Sequence, residues 1–226
     1  MSKEVIVITG TSRGLGFALA ELYLKQGATV IGVARNKPSI ESDEYFHQSK
    51  SITDDDFPLA LEAFLRKLRI QKIEILINNA GVEDTGVHLS KLDPSQVLNL
   101  IDIHCVGALR TIKGAHAFLD KTKIVNVTSR LGSIIQTKRG DFSGRSFSYG
   151  YRIAKCAQNM LSLCLDGDTE LGNNIILSIN PGLLLTNLGA SDANFTAWEG
   201  AKAVMQVVKD ADCSGIYHAF GDEALY

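Results

Sequence analysis

Short β-branched runs alternate along the chain with longer segments of helical period. This alternation is typical of repeated strand–helix–strand units, in which helices cover both faces of a parallel sheet. Seven strands are predicted, of which the third has the weakest signal: 5–9, 29–34, 45–48, 73–78, 123–128, 175–179 and 216–220. Five helices are predicted between them: 15–26, 57–69, 95–119, 151–165 and 196–209. The pattern therefore indicates one α/β domain of 226 residues with a doubly wound parallel sheet.

Two segments, 131–148 and 183–194, fit neither period. Both follow predicted strands, and ligands of an open parallel sheet bind beyond the carboxyl ends of its strands. We therefore expect both segments to be irregular and to face a substrate. The last predicted helix opens with Thr196 and Glu199, whose spacing is that of a capping box.

Composition and charge narrow the classes of function. Hydrophobic residues make up 45% of the chain and charged residues 21%, which is enough apolar material for a core on both faces of a sheet. The formal net charge is -2 and the basic residues are scattered, so we expect no nucleic-acid partner and no membrane partner. A small-molecule ligand is favoured.

Cysteine usage and the lack of long apolar runs favour a cytoplasmic location. The chain has four cysteines, Cys105, Cys156, Cys164 and Cys213. Their spacing is not that of a zinc site, and they are too few for a disulfide scaffold. The first apolar run is shorter than a signal-peptide core, and no segment has 18 uninterrupted apolar residues. No cluster of metal-ligating residues has suitable spacing, so no metal is expected.

A glycine-rich turn, TGTSRGLG at residues 9–16, directly follows the first predicted strand. Glycines allow a tight turn, and they let backbone amides and the helix dipole approach a pyrophosphate. The alternative is a tight turn without a ligand. The predicted cofactor-binding residues of this turn are Gly10, Ser12, Arg13, Gly14, Leu15 and Gly16.

The end of the second predicted strand indicates which nucleotide is bound. An acidic side chain there would accept hydrogen bonds from the ribose of NAD and repel a 2′-phosphate. This strand ends instead in Ala34 and Arg35. Because the guanidiniums of Arg35 and Arg13 can pair with a phosphate, NADP(H) is the predicted cofactor. The alternative is that both arginines are solvated surface side chains.

Tyr151 and Lys155 are the main candidates for catalysis, since a separation of four residues places them on one face of a helix. A phenol with its ordinary pKa near 10 is too weak an acid to exchange protons freely at neutral pH. A lysine cation about 4 Å away would favour the phenolate by roughly 4 kcal/mol, or about three pKa units, in an effective dielectric of about 20. Tyr151 would then serve as a general acid and base. The alternative is an ordinary surface pair.

Ser129 follows the strand predicted at 123–128. At that end of the sheet its hydroxyl can donate to a substrate oxygen as negative charge develops there. Tyr149 is a second candidate phenol, but its fourth neighbour is Ile153, so it lacks a lysine partner.

Together these motifs resemble the short-chain dehydrogenase/reductase family. The glycine turn resembles its TGxxxGxG pattern, and the segment IVNVTSRLG resembles its serine-bearing strand, which implies that Ser129 and not Thr128 is catalytic. The segment YRIAK and the compact length are similar to the carbonyl-reductase-like subgroup related to sniffer and bacterial C-factor. The resemblance implies a Rossmann fold.

Two further segments extend the resemblance. Residues 78–81 match the family's NNAG motif, whose asparagines support the sheet and whose small residues make room for the cofactor. Residues 180–182 match its PG-containing turn, which meets the nicotinamide end of the cofactor. The implied cofactor contacts are Asn79, Ala80, Gly81, Pro181, Gly182, Leu184 and Thr186, in addition to Tyr151 and Lys155.

Departures from the family pattern occur at two places. His104 stands where the family has an asparagine that helps to hold a water and the catalytic lysine. A histidine can keep a proton relay in altered form, and a purely structural histidine is the alternative. Ser51 and Ile52 replace the family's Asp-Val pair at the adenine, which removes a carboxylate acceptor and leaves Ile52 as an expected contact.

We therefore expect an NADP(H)-dependent oxidoreductase that transfers a hydride between the nicotinamide and a carbonyl or alcohol substrate. The alternative is an NADP(H)-binding signalling or regulatory protein with the same fold and little turnover. The resemblance also implies a homodimer or homotetramer that pairs through the helices at 95–119 and 151–165.

Overall fold

A computed structural model describes residues 3–82, 84, 86, 88–142, 148–185 and 194–220. Its strands are β1 (Val5–Thr9), β2 (Thr29–Ala34), β3 (Tyr45–Ser49), β4 (Ile73–Asn78), β5 (Leu119–Val127), β6 (Ile175–Asn180), β7 (Leu184–Leu185), β8 (Phe195–Thr196) and β9 (Gly215–His218). Seven of them form a parallel sheet in the order β3-β2-β1-β4-β5-β6-β9, and β7 pairs with β8 separately. The predicted doubly wound Rossmann sheet is confirmed.

Seven α-helices lie in the described part of the chain: α1 (Gly14–Lys25), α2 (Phe57–Lys67), α3 (Pro94–Ile101), α4 (Gly107–Ala115), α5 (Ile134–Arg139), α6 (Tyr149–Asp166) and α7 (Ala197–Asp210). The predicted capping box is present at the start of α7, where Thr196 and Glu199 satisfy each other's backbone amides. None of the helices in the described ranges is long and apolar enough to cross a membrane.

The sheet carries a core on each face because successive strand residues point in opposite directions. In β1, Ile6 and Ile8 pack with side chains of α1 and α7, whereas Val7 packs on the other face with side chains of α2 and α4. All three are completely buried. The strand order reverses between β1 and β4, and a crevice for ligands opens at such a point beyond the carboxyl ends of the strands.

The single helix predicted at 95–119 is wrong in detail. Between α3 and α4 lies one π-helical turn, Asp102–Val106, and a 3-10 turn, His116–Phe118, ends the helical stretch. Leu119 already belongs to β5, because it pairs with Ile73 of β4. The strand predicted at 123–128 therefore begins earlier than expected.

The two segments predicted to be irregular also contain regular structure. The Ser133 side chain accepts a hydrogen bond from the amide of Gln136 and so caps the start of α5. Gly140 follows the last residue of this helix and lies in the left-handed region, with φ 80°. A 3-10 turn, Arg130–Gly132, precedes this helix. In the second segment, Leu184 and Leu185 form the short β7, which pairs with β8.

Candidate active site

The carboxyl ends of the central strands border one cleft of about 1090 Å³. Most of the residues predicted from the sequence line it: Gly10, Ser12, Arg13, Gly14, Leu15, Arg35, Ile52, Asn79, Ala80, Gly81, His104, Ser129, Tyr151, Lys155, Pro181, Gly182 and Leu184. Gly16 is buried outside the lining, and Thr186 lies outside the described residues. The fold thus brings together residues that lie as far apart in the chain as Gly10 and Leu184.

Gly10 and Gly14 of the glycine turn have positive φ angles of 76° and 62°, which glycine adopts without strain. A Cβ on Gly10 would lie 2.8 Å from the Cα of Ala80, and a Cβ on Gly16 would overlap the Asn79 amide and the Gly10 carbonyl. The turn therefore packs directly against the end of β4.

Asn79 joins these two elements through hydrogen bonds. Its side-chain nitrogen donates to the carbonyl of Thr9 at 2.9 Å and to that of Gly10 at 3.3 Å. In return, the Thr9 hydroxyl accepts from the backbone amides of Asn79 and Ala80, each at 3.1 Å. The NNAG segment thus fixes the position of the glycine turn.

A second support for the turn comes from the edge of the sheet. The hydroxyls of Tyr45, on β3, and Thr11 are 2.9 Å apart and buried. The tyrosine reaches Thr11 across Gly32 of β2, where any Cβ would overlap the phenol. Nothing in the local sequence around Tyr45 signals this contact, because it depends on the order of the strands.

The N-terminus of α1 fits an anionic ligand. Its N-cap residue, Arg13, makes no side-chain hydrogen bond to the helix, and the first turn contains no acidic residue. The amides of a helix N-terminus and its dipole favour negative charge. A pyrophosphate therefore fits this end of the cleft.

Two exposed arginines, Arg13 and Arg35, lie at the mouth of the same end. Lys50 also lines the cleft, but its ammonium is 2.8 Å from the carboxylate of Asp56 and 3.7 Å from that of Asp54. These ion pairs leave the two arginines as the better match for a further phosphate on the ribose.

At the opposite end of the cleft, the ammonium of Lys155 lies 5.7 Å from the centre of the Tyr151 ring. Burial lowers the pKa of Lys155 to about 7. The lysine cation expected beside Tyr151 therefore loses its proton at a lower pH than an exposed lysine does. The reason is desolvation, which sequence spacing does not reveal.

Ser129 and Thr128 have different environments. The Ser129 oxygen accepts from the amide of Leu131, and this contact engages a lone pair and not the hydroxyl proton. The buried Thr128 hydroxyl instead donates to the side-chain oxygen of Asn159 at 2.5 Å. The structure therefore favours Ser129 over Thr128 as a donor to a ligand in the cleft.

His104 lies in the π-helical turn and is 3% exposed. Its Nε2 lies 2.9 Å from the carbonyl of Val82 and 3.5 Å from the amide of the same residue, and the shorter contact favours the tautomer with the proton on Nε2. Burial, and then the charge of Lys155, lower the pKa of His104 to about 3. The imidazole is therefore neutral near pH 7, and its Nδ1 has no partner among the described residues.

Sequence reasoning missed Asp84, which also lines the cleft. Its carboxylate accepts from the backbone amide of Tyr151 at 3.2 Å and from that of Gly86 at 3.1 Å. Asp84 thereby holds the start of α6. No spacing rule connects it to a helix that begins more than 60 residues later in the chain.

Comparison with known proteins agrees with this geometry. A family model described as short chain dehydrogenase matches residues 4–196. C-signal of Myxococcus xanthus is 26% identical over 151 residues, which cover 66% of this chain and 87% of that protein. Among solved structures, the carbonyl reductase Sniffer of D. melanogaster has a TM-score of 0.86 at 20% identity, with both chains fully covered. An NADPH-bound carbonyl reductase from chicken fatty liver has a TM-score of 0.85 at 17% identity, also with full coverage of both chains.

The resemblance noted in the sequence is thus confirmed, and the fold is that of the carbonyl reductases with which it is compared. The family model alone covers well over half of the chain. The chain belongs to the short-chain dehydrogenase family, whose members are oxidoreductases.

Proposed function

We propose that this chain is an NADP(H)-dependent oxidoreductase that interconverts a carbonyl and an alcohol. One observation carries the proposal: the open N-terminus of α1 and the trio Ser129, Tyr151 and Lys155 line the same cleft. The first suits a dinucleotide phosphate, and the second suits proton transfer to an oxygen next to it.

The preference for NADP(H) rests on charge. Arg13 and Arg35 are exposed at the phosphate end, and no carboxylate follows β2 to repel a 2′-phosphate. NADPH is also the cofactor in the name of the chicken carbonyl reductase that has the same fold.

In the proposed mechanism, NADP(H) supplies or accepts the hydride when it is bound. Ser129 donates its hydroxyl proton in a hydrogen bond to the substrate oxygen and so stabilises the charge that develops there. Tyr151 gives the proton to that oxygen in reduction and removes it in oxidation. Lys155, in its charged form, favours the phenolate of Tyr151. Neutral His104 packs beside this trio without adding a charge.

The test is NADPH oxidation against a panel of aldehydes and ketones. Tyr151→Phe is expected to lower kcat by about 10²- to 10⁴-fold, the usual contribution of a general acid, with NADPH affinity retained. Tyr149→Phe is the matched control, because it removes a phenol two residues away that has no lysine at the fourth position. Equal turnover by the wild type and Tyr151→Phe would contradict the mechanism.

The alternative function, a signalling or regulatory protein that binds NADP(H), rests on His104 in place of the family's asparagine. It predicts tight NADPH binding by fluorescence together with no turnover of any carbonyl in the panel. Measurable turnover that Tyr151→Phe abolishes would exclude it.

The cytoplasmic location of the chain stays a prediction.

We also propose that the chain forms a homodimer or homotetramer. Exposed apolar side chains lie on α3, α4 and α6, and α3 packs against α6. They are Leu98, Leu109, Ile153, Met160 and Leu163. Size-exclusion chromatography with light scattering tests this proposal: Met160→Glu is expected to shift the wild-type oligomer to a monomer, and a monomeric wild type would refute it.

A further inference from the structure

Gln158 lies three residues after Lys155 on α6 and is 2% exposed. Its side-chain oxygen accepts a hydrogen bond of 2.9 Å from the Lys155 ammonium. An ammonium can only donate, so the amide must present its oxygen and not its NH₂ group to the lysine. The contact therefore fixes the orientation of both side chains.

Lys155 has a second acceptor, the carbonyl of Val127 at the end of β5, at 2.7 Å. An ammonium has three N–H donors, and these two acceptors engage two of them. The third remains for the cleft, where the ring of Tyr151 lies. Gln158 and Val127 thus set the direction in which the lysine can act.

A buried polar layer anchors the part of α6 that carries Gln158. The Ser162 hydroxyl donates to the backbone carbonyl of Gln158 at 3.1 Å and accepts from the side chains of Asn126 and Ser178, each at 2.8 Å. These residues are buried on β5, β6 and α6. These three bonds hold the backbone of α6 at Gln158 against the two strands, and none of them involves the side-chain amide that contacts Lys155.

The electrostatic surroundings make this amide oxygen significant. The titratable groups around Lys155 are Tyr151 on the same helix and His104 from the π-helical turn, and Asp84 lies at the start of α6. Among the described residues no carboxylate pairs with Lys155, and burial alone lowers its pKa to about 7. The acceptors that the structure gives this ammonium are two neutral oxygens, those of Gln158 and Val127.

We propose that Gln158 is a positioning residue that holds the Lys155 ammonium beside Tyr151 and favours its charged form. The proposal rests on the proposed function for its catalytic meaning, although the contact itself can be tested without turnover.

The direct test is a pH titration of protein labelled with ¹³C at the lysine ε-carbons, with Lys155→Met used to assign the signal. Gln158→Leu keeps the volume of the side chain and removes the acceptor, so the midpoint of Lys155 is expected to fall by about one to two pH units. Gln158→Glu supplies a negative acceptor at the same place, so the midpoint is expected to rise. Opposite shifts support the proposal, and unmoved midpoints or shifts in one direction overturn it.

Ser162→Ala is the matched control. It disturbs the same buried layer on the same helix but touches no atom of Lys155, so it should lower stability and leave the lysine midpoint unchanged. A midpoint that moves equally in Ser162→Ala would show a general structural effect and overturn the proposal. If Gln158→Leu does not fold, the rise expected for Gln158→Glu decides the question alone.

Turnover gives a second measurement. The pH profile of kcat should contain an apparent pKa that belongs to Lys155. In each variant this apparent pKa is expected to shift in the same direction as the NMR midpoint. A wild type that oxidises no NADPH would count against the proposed function, while the NMR titration would still decide whether Gln158 holds the lysine.

Discussion

The rings of His104 and Tyr151 meet edge to face, with their centres 5.3 Å apart and their planes at 85°. This arrangement is favourable between aromatic rings and places a neutral imidazole against the candidate catalytic phenol. A charged imidazole there would face the Lys155 ammonium, which explains part of the lowered pKa of His104.

His104 is expected to make stability fall in acid. Its pKa is about 3 in the folded protein and near 6.5 in the unfolded chain, so between these values the unfolded chain binds more protons. The contribution of His104 to the free energy of unfolding is complete above pH 6.5 and is lost as the pH falls toward 3. The free energy then changes by at most about 1.4 kcal/mol per pH unit. In urea unfolding, the stability of His104→Asn should depend less on pH than that of the wild type. His116→Asn, which changes an exposed histidine, is the control and should keep the wild-type pH dependence.

Lys155 should have a similar effect at higher pH. Its pKa is about 7 when folded and near 10.5 when unfolded, so the unfolded chain binds more protons between these values and stability rises with pH. In the wild type, the free energy of unfolding should rise by at most about 1.4 kcal/mol per pH unit across this range. Lys155→Met should remove this rise and also abolish turnover. Urea unfolding at several pH values measures the difference, and parallel curves for the two proteins would contradict the burial of the ammonium.

Cofactor preference should change at Arg35. If its guanidinium binds the 2′-phosphate, Arg35→Ala removes a charged hydrogen bond and raises the Kd of NADPH by about 10- to 100-fold, and the Kd of NADH should not change. Fluorescence titration measures both constants. Arg66→Ala, an exposed arginine on α2 outside the cleft, serves as the control. Equal weakening of both nucleotides would argue against a 2′-phosphate contact.

Gly16→Ala tests the packing of the glycine turn. The new methyl group would overlap the Asn79 amide and the Gly10 carbonyl, so we expect the free energy of unfolding to fall by about 1–3 kcal/mol, together with weaker NADPH binding. At Gly167 a Cβ would meet only carbonyl oxygens at 3.8 Å, and φ is −83°. Gly167→Ala should therefore be neutral or stabilising by about 0.4–1 kcal/mol. Urea denaturation of the two variants gives the comparison.

The sequence was most informative where local patterns decide the structure. The bounds of β1, β2 and β4 match their predictions residue for residue, because short β-branched runs bounded by turns suit buried parallel strands. The glycine turn and the pair Tyr151 and Lys155 were placed in the cleft correctly, because glycine spacing and a four-residue separation are local features as well.

The features that the sequence analysis did not predict are of two kinds: α5 has a local signal, whereas the environment of Lys155 depends on tertiary structure. Ser133 and Gln136 have the three-residue spacing of a helix N-cap, which indicates the start of α5. In contrast, the ionisation of Lys155 and its contact with Gln158 follow from burial within the assembled sheet and helix. The π-helical turn around His104 has no signature in the order of residues that we can name.

The hydrogen bond between Tyr45 and Thr11 connects β3, one of the two edge strands of the described sheet, to the loop that would hold the diphosphate. Edge strands are commonly the first to open in local unfolding, because they have a neighbour on one side only. Occupation of the loop would restrain Thr11 and, through the phenol, the whole of β3. Amide hydrogen exchange at this remote margin should therefore slow when the nucleotide binds, which makes the border of the sheet a reporter of occupancy in the cleft.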